Sequence, residues 1–135
     1  MPECQTVFIE LPLLPPSVNA VWRHGRRRAW KSSRYETWID SASKEVVSRL
    51  KGQRVTGFCG VVIKCVKPSR RKMDLDNRLK GLLDLLVLMS VIDDDSFIQR
   101  IEIEWVTVGA PVQIWVISTN EVPLPERVKN AKQDF

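Results

Sequence analysis

The sequence of 135 residues lacks the side chains that zinc proteins and disulfide-rich proteins depend on. It contains three cysteines, Cys4, Cys59 and Cys65, and no CxxC pair, which argues against a zinc site or a disulfide framework. His24 is the only histidine, so a histidine metal site or a catalytic triad has almost nothing to build on. The chemistry of a functional site must therefore come from carboxylates, lysine and arginine.

Long apolar runs are also absent. None reaches the ~18–20 residues that a membrane span needs, and the longest candidate, residues 82–92, contains Asp84 and Ser90. The first residues lack the basic and apolar regions of a secretory signal. We therefore expect a cytoplasmic protein with no membrane partner.

Positive charge is concentrated in two segments. The net charge is +5; residues 22–34 carry six Lys or Arg and no acid, and residues 64–80 carry seven against Asp74 and Asp76. Such clusters are the footprint expected of a protein that binds a phosphate backbone. An ordinary solvated surface is the alternative interpretation.

The hydrophobic pattern predicts one domain over residues 1–120, followed by a charged tail over residues 121–135. The fold class predicted is α/β (α+β), with a single mixed β-sheet and two main helices packed on it. Residues 57–66 are apolar on both faces and should lie inside the sheet. Strands are predicted over residues 6–11, 57–66, 98–108 and 112–118, the last two as a hairpin; helices over 32–50 and 75–89; and a basic loop over 12–31 with a short strand near 28–31.

Asp74, Asp76 and the aspartates at 93–95 are candidates for a metal site. Two acids two residues apart can converge if Asp74 lies in a loop and Asp76 opens the helix. Oxygen ligands without Cys or His favour Mg²⁺ or Mn²⁺, and Lys80 could stabilise a phosphate beside the ion. The alternatives are an N-cap at Asp74 or Asp76, an Asp76–Lys80 ion pair and simple turn chemistry at residues 93–95.

Three blocks of sequence, occurring in family order, resemble the RusA family of Holliday junction resolvases. They are PPSVN at residues 15–19 followed by Arg23, DLDN at residues 74–77 with Lys80 and Asp84, and VIDDDSFI at residues 91–98. Ser90 stands where the family usually has glycine. A serine suits the same turn only if φ there need not be positive.

The resemblance implies a homodimeric, Mg²⁺-dependent endonuclease, with Mn²⁺ able to substitute. Its substrate would be the four-way DNA junction, resolved by paired symmetric hydrolysis during recombination and repair. The implied catalytic residues are Asp74, Asp76, Lys80 and Asp95, with the metal on the three aspartates; the aspartate triplet leaves Asp94 as an alternative ligand. The resemblance also makes a phage or prophage origin, and thus a bacterial or phage-infected cell, an expectation.

Phosphate contacts are expected from the basic loop and from the segment before the acids, since such contacts position DNA without reading its sequence. Two other functions would use the same residues: non-catalytic binding of branched DNA, and metal-dependent cutting of other branched or single-stranded DNA. A structural protein whose acids are caps and turns is a third possibility. The expected DNA-binding residues are Asn19, Arg23, Arg26, Arg27, Arg28, Lys31, Arg70, Arg71 and Lys72.

Overall fold

The computed structural model describes residues 5–17 and 33–119, together with the backbone of residues 22–24 and 29–31. The elements there confirm the predicted α+β class. In chain order they are β1 (Thr6–Leu11), β2 (Trp22–His24), β3 (Ala29–Lys31), α1 (Ser33–Leu50), β4 (Cys59–Val66), α2 (Asp76–Leu88), a 3₁₀ helix (Asp95–Phe97), β5 (Ile98–Val106) and β6 (Val112–Ser118).

A four-stranded mixed sheet in the order β1-β6-β4-β5 forms the framework. β6 is antiparallel to β1 and to β4, whereas β4 and β5 are parallel. Parallel neighbours need a crossover connection, and α2 supplies it. β4 therefore lies inside the sheet, as its two apolar faces predicted.

The predicted hairpin between the last two strands is wrong. β5 and β6 lie on opposite sides of β4, so they do not pair with each other. The intervening turn crosses the end of β4, where the backbone N–H of Val66 donates to the carbonyl oxygen of Pro111 at 3.0 Å. The crossover through α2 makes β5 parallel to β4, and β6 then fills the other, antiparallel edge of β4.

One face of the sheet carries the hydrophobic core. Alternate residues of β1, β4 and β6 are buried together with apolar residues of both helices. Burial of each large aliphatic side chain stabilises the fold by about 1.5–3 kcal/mol. The fully buried members include Ile9, Leu11, Ile63 and Ile114 from the sheet and Leu82, Leu85 and Leu86 from α2.

β2 and β3 pair as a separate antiparallel two-stranded sheet, in which Arg23 lies opposite Trp30 and Trp22 opposite Lys31. Two of the expected DNA-binding residues, Arg23 and Lys31, thus share one hairpin. The sequence predicted a strand near residues 28–31 but did not predict β2. Asn19, Arg26, Arg27 and Arg28, like the tail at 121–135, lie outside the described residues.

Along the described parts of the chain, neither helix is long and apolar enough to cross a membrane.

Candidate active site

The start of α2 places the two acids of the DLDN segment. Asp76 is the first residue of the helix and Asp74 lies in the segment before it, which is the arrangement in which two such acids can converge. The alternative in which one of them is the N-cap is wrong, since Leu75 holds that position without a side-chain cap. Asp74 instead accepts a hydrogen bond through Oδ2 from the Asn77 amide at 3.0 Å. The Asp74 carboxylate is therefore oriented by the first turn of the helix that follows it.

Lys80 lies one helical turn beyond Asp76 and donates through Nζ to Asp84 Oδ1 at 3.0 Å. Lys80 therefore pairs with Asp84, and the alternative of an Asp76–Lys80 ion pair is wrong. The hydrogen bond to Asp84, together with the charge of Asp84, raises the pKa of the Lys80 ammonium group, and the carboxylate of Asp95 adds to the rise. Lys80 is thus a cation at neutral pH, held toward Asp84 and within reach of the charge of Asp95.

The aspartate triplet after α2 divides into three different roles. Asp93 accepts hydrogen bonds from the Arg54 guanidinium and from the backbone N–H of Gly57, the latter at 2.9 Å. Asp94 caps the 3₁₀ helix: its Oδ2 accepts from the Ser96 hydroxyl at 2.6 Å and from the Ser96 backbone N–H at 3.2 Å. These hydrogen bonds lower the pKa of the Asp94 carboxyl group.

Asp95 is the member of the triplet whose charge affects a residue of α2. It opens the 3₁₀ helix, which contacts α2, and its charge contributes to the raised pKa of Lys80. The turn thus returns along the helix far enough to bring Asp95 into the neighbourhood of Lys80. Asp93 and Asp94 are both engaged in shaping the turn, and Asp95 stays the predicted third acid.

The three acids do not form a closed metal cage. Within the residues that the structure describes, no group of three or more His, Cys, Asp or Glu side chains is close enough to hold an ion. The donor chemistry nevertheless fits Mg²⁺, which usually takes one or two carboxylates together with water and substrate phosphate oxygens. Exposed Asp74, Asp76 and Asp95 are the residues that would hold it.

The cations expected to bind phosphate lie directly before these acids. Arg70, Arg71 and Lys72 are exposed in the segment that joins β4 to α2. Positive side chains and the DLDN acids are therefore adjacent in space as well as in sequence. A DNA strand bound to these cations would pass the start of α2.

Sequence reasoning named Asn77 and Asp84 as members of the DLDN block without giving them a role, and it missed Arg78. Asn77 and Asp84 orient Asp74 and Lys80, their partners three and four residues away. Arg78 donates through one terminal guanidinium nitrogen to the carbonyl oxygen of Pro15 at 2.8 Å. This bond ties the PPSVN block to α2 across 63 residues of chain, and no local pattern signals it.

Comparison with known proteins identifies the family. The model of the family described as endodeoxyribonuclease RusA matches residues 12–117, which include the whole site. The chain is 32% identical over 98 residues to the crossover junction endodeoxyribonuclease RusA of Aquifex aeolicus (strain VF5), covering 73% of this chain and 76% of that protein. It is 31% identical over 91 residues to the proteins of the same name from Escherichia coli (strain K12) and Enterobacteria phage 82, covering 67% of this chain and 75% of each. The chain therefore belongs to the RusA family of endodeoxyribonucleases.

Proposed function

We propose that the protein is a Mg²⁺-dependent endonuclease that resolves four-way DNA junctions by paired symmetric hydrolysis of phosphodiester bonds. Relatives named for crossover junctions, matched over about three quarters of their length, support the substrate. The observation that carries the proposal is the set of charged side chains found together in residues 70–95. This single stretch holds exposed cations, one acid held by a hydrogen bond, a second acid at the start of α2, a paired lysine and a third acid whose charge reaches that lysine.

Each group has a separate task in the proposed reaction. Exposed cations of the segment before α2 bind backbone phosphates and set the register of the strand. The Lys80 ammonium group stabilises the negative charge that grows on the phosphate oxygens in the transition state. Asp74, Asp76 and Asp95 would hold Mg²⁺, which when bound supplies an activated water and neutralises charge.

The first experiment compares a labelled synthetic four-way junction with a linear duplex of the same sequence, each with Mg²⁺, with Mn²⁺ or with EDTA. We expect paired symmetric nicks in the junction alone, with either metal and not with EDTA. Junction binding without cleavage would indicate a non-catalytic DNA-binding protein. Equal cutting of flaps or single strands would indicate a less selective nuclease.

Substitution of the acids tests which of them act in cleavage. Asp76→Asn and Asp95→Asn should abolish nicking, because each removes an ion ligand, while junction affinity persists or rises through the loss of a negative charge beside phosphate. Nicking and gel-shift assays on the same preparations measure both effects. Undiminished nicking by both variants would overturn the site.

Asp93→Asn is the matched control within the same triplet. Its carboxylate holds Arg54 and the backbone of Gly57, so its loss should lower the free energy of unfolding by about 1–3 kcal/mol. The folded fraction should still cut junctions at the normal rate. Loss of nicking in a stably folded Asp93→Asn protein would mean that the acidic pair lies one residue earlier, at Asp93 and Asp94.

The proposal includes a homodimer, because two symmetric nicks need two copies of the site. The sheet face opposite the core supports it: Phe8 and Trp115 are in contact there, with ring centroids 4.9 Å apart, and Phe8 and Ile117 are each 40% exposed. Light scattering should give a mass near twice 15.5 kDa. A single monomeric mass at the concentration of the cleavage assay would contradict this part of the proposal.

A further inference from the structure

A cavity of about 760 Å³ lies between the segment 12–16, the first half of α1 and the residues that follow β4. Its volume falls within the ~300–1,000 Å³ of typical small-ligand sites. The walls are largely apolar and include Leu13, Pro16, Met73 and the buried ring of Trp38. The cleavage mechanism proposed above makes no use of this cavity.

Two long-range hydrogen bonds hold the cavity open. Trp38 Nε1 donates to the carbonyl oxygen of Leu13 at 3.0 Å, which fixes the segment 12–16 against α1. Arg78 donates to the carbonyl oxygen of Pro15 at 2.8 Å, which fixes the same segment against α2. The cavity is therefore a preformed part of the fold.

The charges that line the cavity are all positive. Arg34, Lys67 and Arg78 contribute to it, and no acid is among the described residues of its lining. The Nε atom of Arg78 is buried and has no hydrogen-bond partner within the described residues. A buried donor without a partner is unfavourable, so an acceptor brought within reach of the guanidinium would be favourable. The cavity thus combines apolar walls with positive charges that would attract an anion.

The cavity adjoins the acids of the DLDN segment. Met73, in its wall, directly precedes Asp74, and the guanidinium of Arg78 lies close enough to feel the Asp74 charge. Burial and Arg34 lower the pKa of Arg78, and Asp74 acts in the opposite direction. A group bound in the cavity would therefore lie next to the phosphate group at which the acids are proposed to act.

We propose that this cavity takes one unstacked nucleotide of the DNA strand that is cut, with its base against the apolar walls and its phosphate toward Arg34, Lys67 and Arg78. A base has apolar faces and a polar edge, which suits such walls, and Arg guanidinium planes also stack on bases. An uncharged apolar ligand would bring no negative charge to these three cations. The inference rests on the proposed function, since it assumes a DNA strand at Asp74.

The proposed pocket would supply part of the selectivity for branched DNA. Taking a base out of an intact duplex is unfavourable because its pairing and stacking are lost, and the cost falls where pairing or stacking is already weakened. Nucleotides at the centre of a junction meet this condition, and those within a linear duplex do not. The pocket therefore favours cutting next to the crossover.

The test uses the full chain and four-way junctions that carry 2-aminopurine, a base whose fluorescence rises when it unstacks. The label is placed beside the crossover or, as a reference, in the middle of an arm, and EDTA keeps the DNA intact. Anisotropy of a second dye reports binding. We expect a rise in 2-aminopurine fluorescence on binding at one position beside the crossover and none in the arm.

Two pairs of variants locate the nucleotide. Thr37→Trp fills the cavity from α1, and Ser48→Trp adds the same bulk to the exposed surface of that helix outside the cavity. Leu13→Asp places a negative charge in the cavity wall, and Val47→Asp places it elsewhere; the two residues are 60% and 61% exposed. The first member of each pair should lose the fluorescence rise and about tenfold in junction affinity, the loss expected when one stacked base is given up. The second member should behave as the unaltered protein does.

The outcomes separate this inference from the proposed function. Tight junction binding and Mg²⁺-dependent cutting without any fluorescence rise near the crossover would overturn the pocket and leave the nuclease standing. A rise that survives in both Thr37→Trp and Leu13→Asp would place the unstacked nucleotide outside the cavity and also overturn the inference. Failure to bind junctions at all would overturn both. If Thr37→Trp does not fold, the label on the unaltered protein and the exposed Leu13→Asp variant still decide.

Discussion

At the scale of single residues, the orientation of the Lys80–Asp84 pair is informative. An acid placed four residues before a base stabilises a helix better than the reverse order, because it complements the helix dipole. Asp40 and Lys44 on α1 have the favourable order, with 3.3 Å between Nζ and Oδ2, whereas Lys80 and Asp84 have the unfavourable one. Helix stability alone therefore does not explain the second pair, and a role in holding Lys80 does.

Replacement of Asp84 tests this role. Asp84→Asn should lower the rate of cleavage by about tenfold, as loss of an orienting partner commonly does, with little change in junction affinity. The free energy of unfolding should change by less than ~0.5 kcal/mol, because the pair is exposed. Asp40→Asn, which breaks the equivalent pair on α1, is the control and should cut normally.

The pH dependence of this effect has a definite sign. The pKa of Lys80 is raised in the folded protein, so the stabilisation that the pair adds is fully present at neutral pH and is lost only as the pH rises through that pKa. The difference in cleavage rate between Asp84→Asn and the unaltered protein should therefore stay constant between about pH 7 and 9. A difference that vanishes across this range would show that another group titrates.

Sequence reasoning reached the site through short spacings and missed its long-range bonds. The DLDN block and Lys80 stand within seven residues of each other, so their common helix was predictable. The bond from Arg54 to Asp93 joins residues 39 apart, and only the folded chain brings them together. This bond gives Asp93 a role in the turn, a distinction that the run of three identical aspartates could not make.

At the scale of elements, the end of α2 shows how the fold uses a residue that seems unsuited to its place. The helix ends in a Schellman motif: Val91 N–H donates to the Leu86 carbonyl at 2.9 Å and Ser90 N–H to the Val87 carbonyl at 3.0 Å. The motif needs a left-handed residue, and Ser90 has φ 58°. The expected condition that φ there need not be positive is therefore not met, and the serine is strained by about 1–2 kcal/mol.

Restoring the glycine should stabilise the protein. Ser90→Gly relieves the left-handed strain but adds freedom to the unfolded chain, so we expect a net gain of about 0.5–1 kcal/mol and a rise in Tm of about 2–4 °C. Calorimetry measures both. Ser90→Ala keeps a Cβ atom at the same φ and should give no gain. Equal stability of the two variants would show that the turn carries no such strain.

The strands were predictable where alternation is strong, and their pairing was not. β1 and β6 have the predicted bounds, and β4 and β5 each differ from the prediction by two residues at one end. The error concerned the partner of β6: a short turn after β5 suggests a hairpin, but β4 already needs a parallel neighbour through α2. The choice between these pairings depends on which strands the helices cover, and that is a property of the assembled core.

At the scale of the whole molecule, the net positive charge comes from the two segments that are proposed to bind DNA. The two basic segments, residues 22–34 and 64–80, carry more than the entire net charge of +5, so the remainder of the chain is net negative. β5, at the edge of the sheet, belongs to this net negative part of the chain and carries the exposed Glu102 and Glu104. Acids on an edge strand also discourage unwanted strand pairing. The contrast favours a localised DNA interface over general basicity.

The salt dependence of junction binding follows from this distribution. Each phosphate contact releases condensed counterions, so the slope of log K against log salt should change by about 1 for each cation removed. Arg70→Ala and Arg71→Ala should each make the slope shallower by about 1, and the double variant by about 2, with affinity falling for every sequence alike. Lys44→Ala removes an exposed lysine of α1 that pairs with Asp40, and should leave the slope unchanged. Anisotropy titrations from about 50 to 200 mM salt measure all four proteins, and equal slopes for the Arg70, Arg71 and Lys44 variants would mean that the segment before α2 does not touch the backbone.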